Sequence, residues 1–359
     1  MDTRHGLLQR IVLLLLFAGS LGSSCSSHAA QTTAPLFAEI DGEPLNIEIQ
    51  LPLAELLKKR KEKDAVKGHV VVDGVSIPTT IEPRGKSRLT RCRFPPLRLD
   101  FKKSTTQHTV LAGQNKLKLV THCATKLEPK GYLAAEMLAY RLFNLFTDKS
   151  FRVRAAEITY TDTDTDKQTS KQTSKQTSKS HYGFIIEHKK HLAERLGLDM
   201  VKQNRLRQSS QDASYTSLAN LFQYMIGNTD FSFSQGPSGD DCCHNSVPME
   251  IDARYYSIPY DFDSTGLVNP PYGVPAQSLG LKRLTQRKYR GFCRHNDALP
   301  AARAKLLAAK TDVFSLVQTF AAIPNLNRNK VGRFLEEFYK MLESDKAFDR
   351  KIIRACRKR

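Results

Sequence analysis

The sequence predicts an α+β protein of two lobes, a β-rich N-terminal lobe followed by a mainly helical C-terminal lobe. Three observations predict it. Apolar residues alternate in several segments between residues 68 and 187, the period of half-buried strands. From residue 188 onward, apolar residues recur mostly at spacings of three and four, as on helices that bury one face. Of the 359 residues, 40% are hydrophobic and 25% charged. That composition supports a sizeable core and excludes a wholly disordered, collagen-like or disulfide-miniprotein chain.

The elements follow in order. Residues 1–29 carry Arg4, His5 and Arg10, then the apolar run IVLLLLFA, then small residues up to Ala29. This is the layout of a secretory signal, so the chain is expected to be exported to a periplasm or extracellular space. Lipoprotein processing at Cys25, giving a lipid anchor, is the alternative. No later segment is long and apolar enough to cross a bilayer as a helix. Residues 30–67 read as an N-terminal extension with a charged amphipathic stretch, LAELLKKRKEKDA. The β-rich lobe is assigned to residues 68–187, with strands over GHVVVDGVSIPTTIEPRG, PLRLDFK, KLKLVT, RVRAAEITY and HYGFIIEH. One helix interrupts it at residues 132–146, where Leu133, Met137, Tyr140 and Phe143 share a face. Residues 161–180 (TDTDTD and three KQTS units) are low complexity, a polar tract that buries nothing and reads as an overgrown hairpin turn. The helical lobe, residues 188–359, has helices predicted at 192–196, 215–226, 301–309, 313–322, 330–342 and 347–356, with a strand at YYSIPYDFD.

Charge and cysteines narrow the function classes. Lys and Arg number 55 against 36 Asp and Glu, a formal net charge of +19. Such a surplus implies affinity for polyanions. Aromatic residues do not interleave with the basic runs, which disfavours specific nucleic-acid reading. The basic end RKIIRACRKR reads as a solvated helix end. Trp is absent, which disfavours sugar stacking, and no G-x-S-x-G elbow marks a serine hydrolase. With Cys25 set aside, Cys92, Cys123, Cys242, Cys243, Cys293 and Cys356 remain. An even number in an oxidising compartment predicts disulfides, which sequence alone does not pair. Cys242-Cys243-His244 lacks C-x-x-C spacing, so disulfide use is the reading preferred to a metal site.

The candidate chemistry lies in residues 228–263. Asp230 follows the apolar helix, Asn245 ends the Cys-rich loop, and Asp261 and Asp263 close a strand. Held together, such carboxylates repel unless a cation or basic side chains compensate them. Hard oxygen ligands of this kind suit Mg²⁺ or Mn²⁺. The same residues also read as turn formers at strand ends. Phosphoryl transfer needs a lysine on phosphate, a glutamate placing it, an acid at the acceptor hydroxyl, and amide and carboxylate ligands on metal. Lys118, Glu136, Asp230, Asn245 and Asp261 occur in that order. Lys116, on the same face of its strand, competes with Lys118.

The ordered set resembles the spore-coat protein H (CotH) kinase family over roughly residues 70–270. Arg84-Gly85-Lys86-Ser87 is similar to its R-G-x-S segment. KLKLVTHCATK followed by LAAEMLAYRLFNLF is similar to its lysine strand and helix, and HYGFIIEHKKHLAERLG to its glutamate segment. LFQYMIGNTDFS, HN and IPYDFDSTG resemble its G-N-x-D, N and P-W-D-x-D motifs. The resemblance implies a protein-kinase-like fold and ATP-dependent phosphotransfer to a protein or envelope acceptor. Asp230 would act at the acceptor hydroxyl, and Lys118 would hold phosphate and be positioned by Glu136. Glu187 would lie near the nucleotide, and Asn245, Asp261 and Asp263 would bind the metal. A catalytically inactive envelope interaction protein is the second expectation.

Overall fold

Period-2 alternation begins earlier than residue 68. In β1 (Leu45–Leu51), Ile47, Ile49 and Leu51 are buried on one face. The strand lies within the stretch read from sequence as an N-terminal extension. After the short helix α1 (Leu53–Lys58) come β2 (Val66–Val72) and β3 (Val75–Pro83), antiparallel neighbours. Helix α2 (Ser87–Arg91) leads into β4 (Leu97–Asp100) and β5 (Lys116–Val120). Helix α3 (Tyr132–Phe146) separates β5 from the antiparallel pair β6 (Val153–Asp162) and β7 (His181–Ile186).

This computed structural model describes residues 35–39, 42–123, 131–164 and 180–358. The expected export signal with Cys25 lies outside them, as does most of the tract 161–180.

The two-lobed, protein-kinase-like fold expected from sequence is corrected here. The seven strands form a closed mixed barrel in the order β1-β2-β3-β4-β5-β7-β6. Closure comes from β1, which pairs in parallel with β6, Leu45 opposite Ala156 through Leu51 opposite Asp162. That pairing joins segments far apart in the chain, and alternation within a strand reports only a buried face, not its partner. Closure removes the open edges that an ordinary sheet would present. Ile49, Val70, Ile77, Ile81, Leu97, Leu99, Leu117, Leu119, Ile158 and Ile185 belong to one buried cluster that fills the barrel, joined by Leu36 and Phe37 from the N-terminal turn. Gly68 is required on β2, because a Cβ there would stand 2.2 Å from the Gln50 carbonyl oxygen of β1.

A second core forms outside the barrel. Val120, Val153, Ala155, Phe184 and Ile186 cluster with α3 and with the helices that follow. α3 is buried nearly all round, including Glu136 and Arg141, rather than on the single face its periodicity suggests. β8 (Asp199–Met200), between α4 (Lys189–Leu196) and α5 (Ala213–Met225), joins β9 (Ser246–Ile251) and β10 (Arg254–Pro259) in a small sheet of order β10-β9-β8. α5 is capped by Asp212, whose carboxylate accepts from the Tyr215 N–H, the usual device at a helix start. Helices α6 (Leu299–Ala308), α7 (Lys310–Thr319), α8 (Arg328–Glu343) and α9 (Asp345–Phe348) complete the fold. α8 buries Val331, Leu335, Phe338, Tyr339 and Leu342, the helical stripe its sequence predicts.

The six remaining cysteines pair as Cys92–Cys123, Cys242–Cys243 and Cys293–Cys356, which suits an oxidising compartment. Among the described residues no helix is long and apolar enough to cross a membrane.

Candidate functional site

Strand alternation puts both candidate lysines on one face, and their partners tell them apart. Leu117 and Leu119 point into the barrel, so Lys116 and Lys118 stand on its outer wall. Lys116 pairs with Asp100 at 3.1 Å on the neighbouring strand. The ammonium of Lys118 lies 5.0 Å from the centre of the Tyr260 ring. Burial pushes its pKa down to about 8, Arg84 and Lys189 add to that, and Asp261 pulls it up. Among the described residues no carboxylate stands within salt-bridge distance of Lys118.

Glu136 has a different partner from the one expected. Arg88, from α2, donates from Nη2 to Glu136 at 2.5 Å and from Nε to Asp263 at 3.1 Å. It also reaches the Tyr272 hydroxyl at 3.4 Å. All three charged side chains are nearly enclosed. Burial pushes the Glu136 carboxyl above its usual range and Arg88 draws it back. A guanidinium wedged between two carboxylates offsets part of the cost of burying them together.

Asp261 and Asp263 flank an anchor. Phe262 is fully buried and packs on Tyr140 and Phe222 at centroid distances of 4.6 and 5.6 Å. Asp261 has a positive φ of 64°, and its N–H donates to the Tyr140 hydroxyl at 2.9 Å. Its side chain is exposed at the mouth of the site. The protein wall behind it still strips enough water to raise its carboxyl above the usual range. Asp263 adds like charge, while Arg84 and Arg88 pull the other way and Asp230 contributes a little more repulsion.

Asp230 and Asn245 join this group from two other loops. Asn245 donates from Nδ2 to the Asp230 carbonyl at 2.7 Å and to its Oδ2 at 3.2 Å. The Asn245 carbonyl accepts the Tyr260 N–H at 3.0 Å, one residue before Asp261. His244 Nε2 lies 2.7 Å from Asp230 Oδ1. That hydrogen bond holds the Asp230 carboxyl below its usual range against the effect of burial, and holds the His244 imidazole above its own. Asp230, Asn245 and Asp261 therefore share one site. Asp263 stands behind them, committed to Arg88.

Glu187 directly follows Ile186, the register partner of Lys118 on β7. It is fully buried and clamped by two arginines, Arg152 at 2.8 Å and Arg195 at 3.0 Å. It also accepts the Arg152 N–H at 3.2 Å. These bonds tie the end of β7 to the start of β6 and to α4.

Among the described residues no group of three or more His, Cys, Asp or Glu side chains is arranged to hold a metal ion. Of the three expected ligands, Asp261 carries no salt bridge among the described residues, and Asn245 turns its amide nitrogen to Asp230, leaving Oδ1 as its coordinating atom. Those two fit a hard cation shared with phosphate oxygens. Asp263 fits less well, because Arg88 already takes Oδ2.

Arg88 and the arginines that line a cleft beside Asp230 were not singled out from sequence, and His244 was weighed only within a Cys-Cys-His cluster and an HN motif, not as the partner of Asp230. Arg88 follows directly on the R-G-K-S segment, and His244 directly precedes Asn245, so both stood beside motifs that were read. The cleft arginines carried a weaker signal, the close pairs Arg205/Arg207 and Arg290/Arg294. The basic C-terminal end, read as a solvated helix terminus, delivers Arg357 to the same cleft.

No protein-family model matches the chain, and no curated protein matches it. Among solved structures it is similar to a crystal structure of the Golgi casein kinase. That likeness has 9% identity, covers 89% of this chain and 78% of the other, and has a TM-score of 0.36. At that score it carries no argument, and nothing in these comparisons supports the spore-coat protein H family specifically.

Proposed function

We propose that the chain is an exported phosphotransferase that uses ATP and a divalent cation, Mg²⁺ or Mn²⁺, to phosphorylate a protein or envelope acceptor. The observation that supports it is the meeting of Asp230, Asn245 and Asp261, from three separate loops, in one site whose charge is felt by Lys118. Asp230 orients the acceptor hydroxyl, Lys118 binds phosphate oxygens, and Asp261 and Asn245 hold the cation, which would neutralise phosphate charge when bound. The role expected of Glu136 changes in this reading. Bound to Arg88, it fixes α2 against the Asp261–Asp263 turn and does not position Lys118. The three disulfides support the exported setting.

Calorimetric titration with Mg-ATP tests the proposal. The unaltered chain is expected to bind, and Asp261→Ala to lose most of that binding. Equal heat from both proteins would remove Asp261 from the site, and heat from neither would favour a non-catalytic interaction protein. That second reading has its own support, since among the described residues Lys118 lacks the carboxylate partner that phosphotransfer sites commonly provide.

A further inference from the structure

Beside Asp230 opens a cleft of about 1020 Å³ whose lining includes Arg91, Arg205, Arg207, Arg290, Arg294 and Arg357. Asp230 is the one carboxylate among the described residues that line it. None of the six arginines stands within salt-bridge distance of a carboxylate among the described residues. Guanidinium groups gathered against their mutual repulsion, with their charges unspent, call for an anionic ligand.

Two of them are fixed in place before any ligand arrives. Arg290 donates to the Thr229 carbonyl and lies 5.2 Å from the centre of the Phe231 ring. Arg357 lies 4.5 Å from the centre of the Phe292 ring. Its backbone is held on both sides, its N–H donating to the Gly291 carbonyl at 2.8 Å and its carbonyl accepting the Cys293 N–H at 2.9 Å. The Cys293–Cys356 disulfide closes the same junction. Guanidinium groups held this way lose little freedom on binding.

The lining also selects among anions. Phe231 and Phe292 are buried and each carries a guanidinium over its ring, so neither offers an open face for a base or a sugar to stack on. The volume and the spread of charge over several segments exceed what a single phosphate needs. Leu206, Val274, Ala276 and Leu279 add apolar wall between the charges. Alternating charged and apolar contacts suit a polypeptide that carries carboxylates.

We propose that this cleft seats an acidic stretch of a polypeptide, so that the hydroxyl presented to Asp230 belongs to a Ser, Thr or Tyr flanked by carboxylates. The fate of that hydroxyl rests on the phosphotransfer reading; the binding does not. Transfer forms a bond from the hydroxyl oxygen to the terminal phosphorus of ATP, breaks that phosphorus from its bridging oxygen to release ADP, and leaves the hydroxyl proton on Asp230.

The test is fluorescence anisotropy on the full chain, without nucleotide, using a labelled peptide of alternating Glu and Ser and the same peptide with Gln for every Glu. The Glu peptide is expected to bind and the Gln peptide not. Arg205→Ala with Arg207→Ala, both exposed, should weaken binding about a hundredfold, roughly tenfold for each guanidinium–carboxylate hydrogen bond removed. Lys330→Ala with Lys346→Ala removes the same charge from exposed residues outside the cleft lining and should leave binding within about twofold. Equal weakening by the two double variants would reduce the effect to net charge and overturn the proposal. So would binding of the Gln peptide, or a sulfated oligosaccharide that binds more tightly than the Glu peptide. Peptide binding with no phosphate transfer sinks the phosphotransfer reading alone. Transfer at equal rates to both peptides sinks this one alone.

Discussion

A lysine on the outer wall of a barrel ordinarily keeps a pKa above 10; Lys118 does not. Enclosure under Tyr260 and the positive charges of Arg84 and Lys189 bring it to about 8. The sign has two consequences. Between about pH 8 and about pH 10 the unfolded chain holds a proton that the folded chain has released, so this group makes stability rise with pH across that window. Nucleotide affinity moves the opposite way, because phosphate oxygens need the charged ammonium. Mg-ATP binding is expected to be about tenfold weaker at pH 9 than at pH 7, and Lys118→Arg, which keeps its charge, should flatten that profile. A profile of the same steepness in Lys118→Arg would show that another group titrates. At this scale the sequence was informative about which residue types meet, and less so about who holds whom. Asn245 is hydrogen-bonded to Asp230, and its carbonyl holds the Tyr260 N–H beside Asp261. The partner of Glu136 was not legible, because Arg88 lies 48 positions away in the chain and periodicity within an element says nothing of which elements meet.

At the scale of elements, the Cys92–Cys123 disulfide joins the end of α2 to the segment that leaves β5. The Cys123 carbonyl also accepts the Arg93 N–H at 3.1 Å. α2 carries Arg88 and β5 carries Lys118, so this link sets the distance between the ion-pair cluster and the lysine. The two cysteines are separated by 31 positions, and cross-linking a loop of that size stabilises by about 3–4 kcal/mol through restriction of the unfolded chain. Cys92→Ser with Cys123→Ser should lower the denaturant-unfolding free energy by about that amount and weaken Mg-ATP binding as well. Lost stability with unchanged nucleotide affinity would mean that α2 is positioned by its ion pairs alone. Most long elements were legible in the sequence, since α3, α5, α8 and the barrel strands from β2 onward carry clear periodicity. Of the β9–β10 hairpin only the second strand was read from sequence. Its turn uses Asp252 and Ala253, both at positive φ, and Asp-Ala lacks the glycine that usually marks such a turn.

The whole molecule depends on the strand that sequence reading left outside the β-rich part. β1 supplies Ile47, Ile49 and Leu51 to the barrel interior, and burial of three such side chains is worth about 5–9 kcal/mol. That is comparable with the entire stability of an ordinary domain, about 5–15 kcal/mol. β1 also covers both β2 and β6. Without it those strands become open edges that pair with other chains. A chain starting at residue 60 keeps β2 through β7 intact and lacks only β1, α1 and what precedes them. The closed barrel predicts that such a chain aggregates or unfolds without cooperativity, measured by size-exclusion chromatography and thermal circular dichroism. A synthetic peptide of residues 42–59 added in trans should restore a cooperative transition, because the missing strand has a defined slot with a parallel partner on one side and an antiparallel one on the other. A β-rich lobe that begins at residue 68 predicts the reverse, a soluble monomer that melts as the full chain does. That result would mean that β1 decorates the barrel and does not close it.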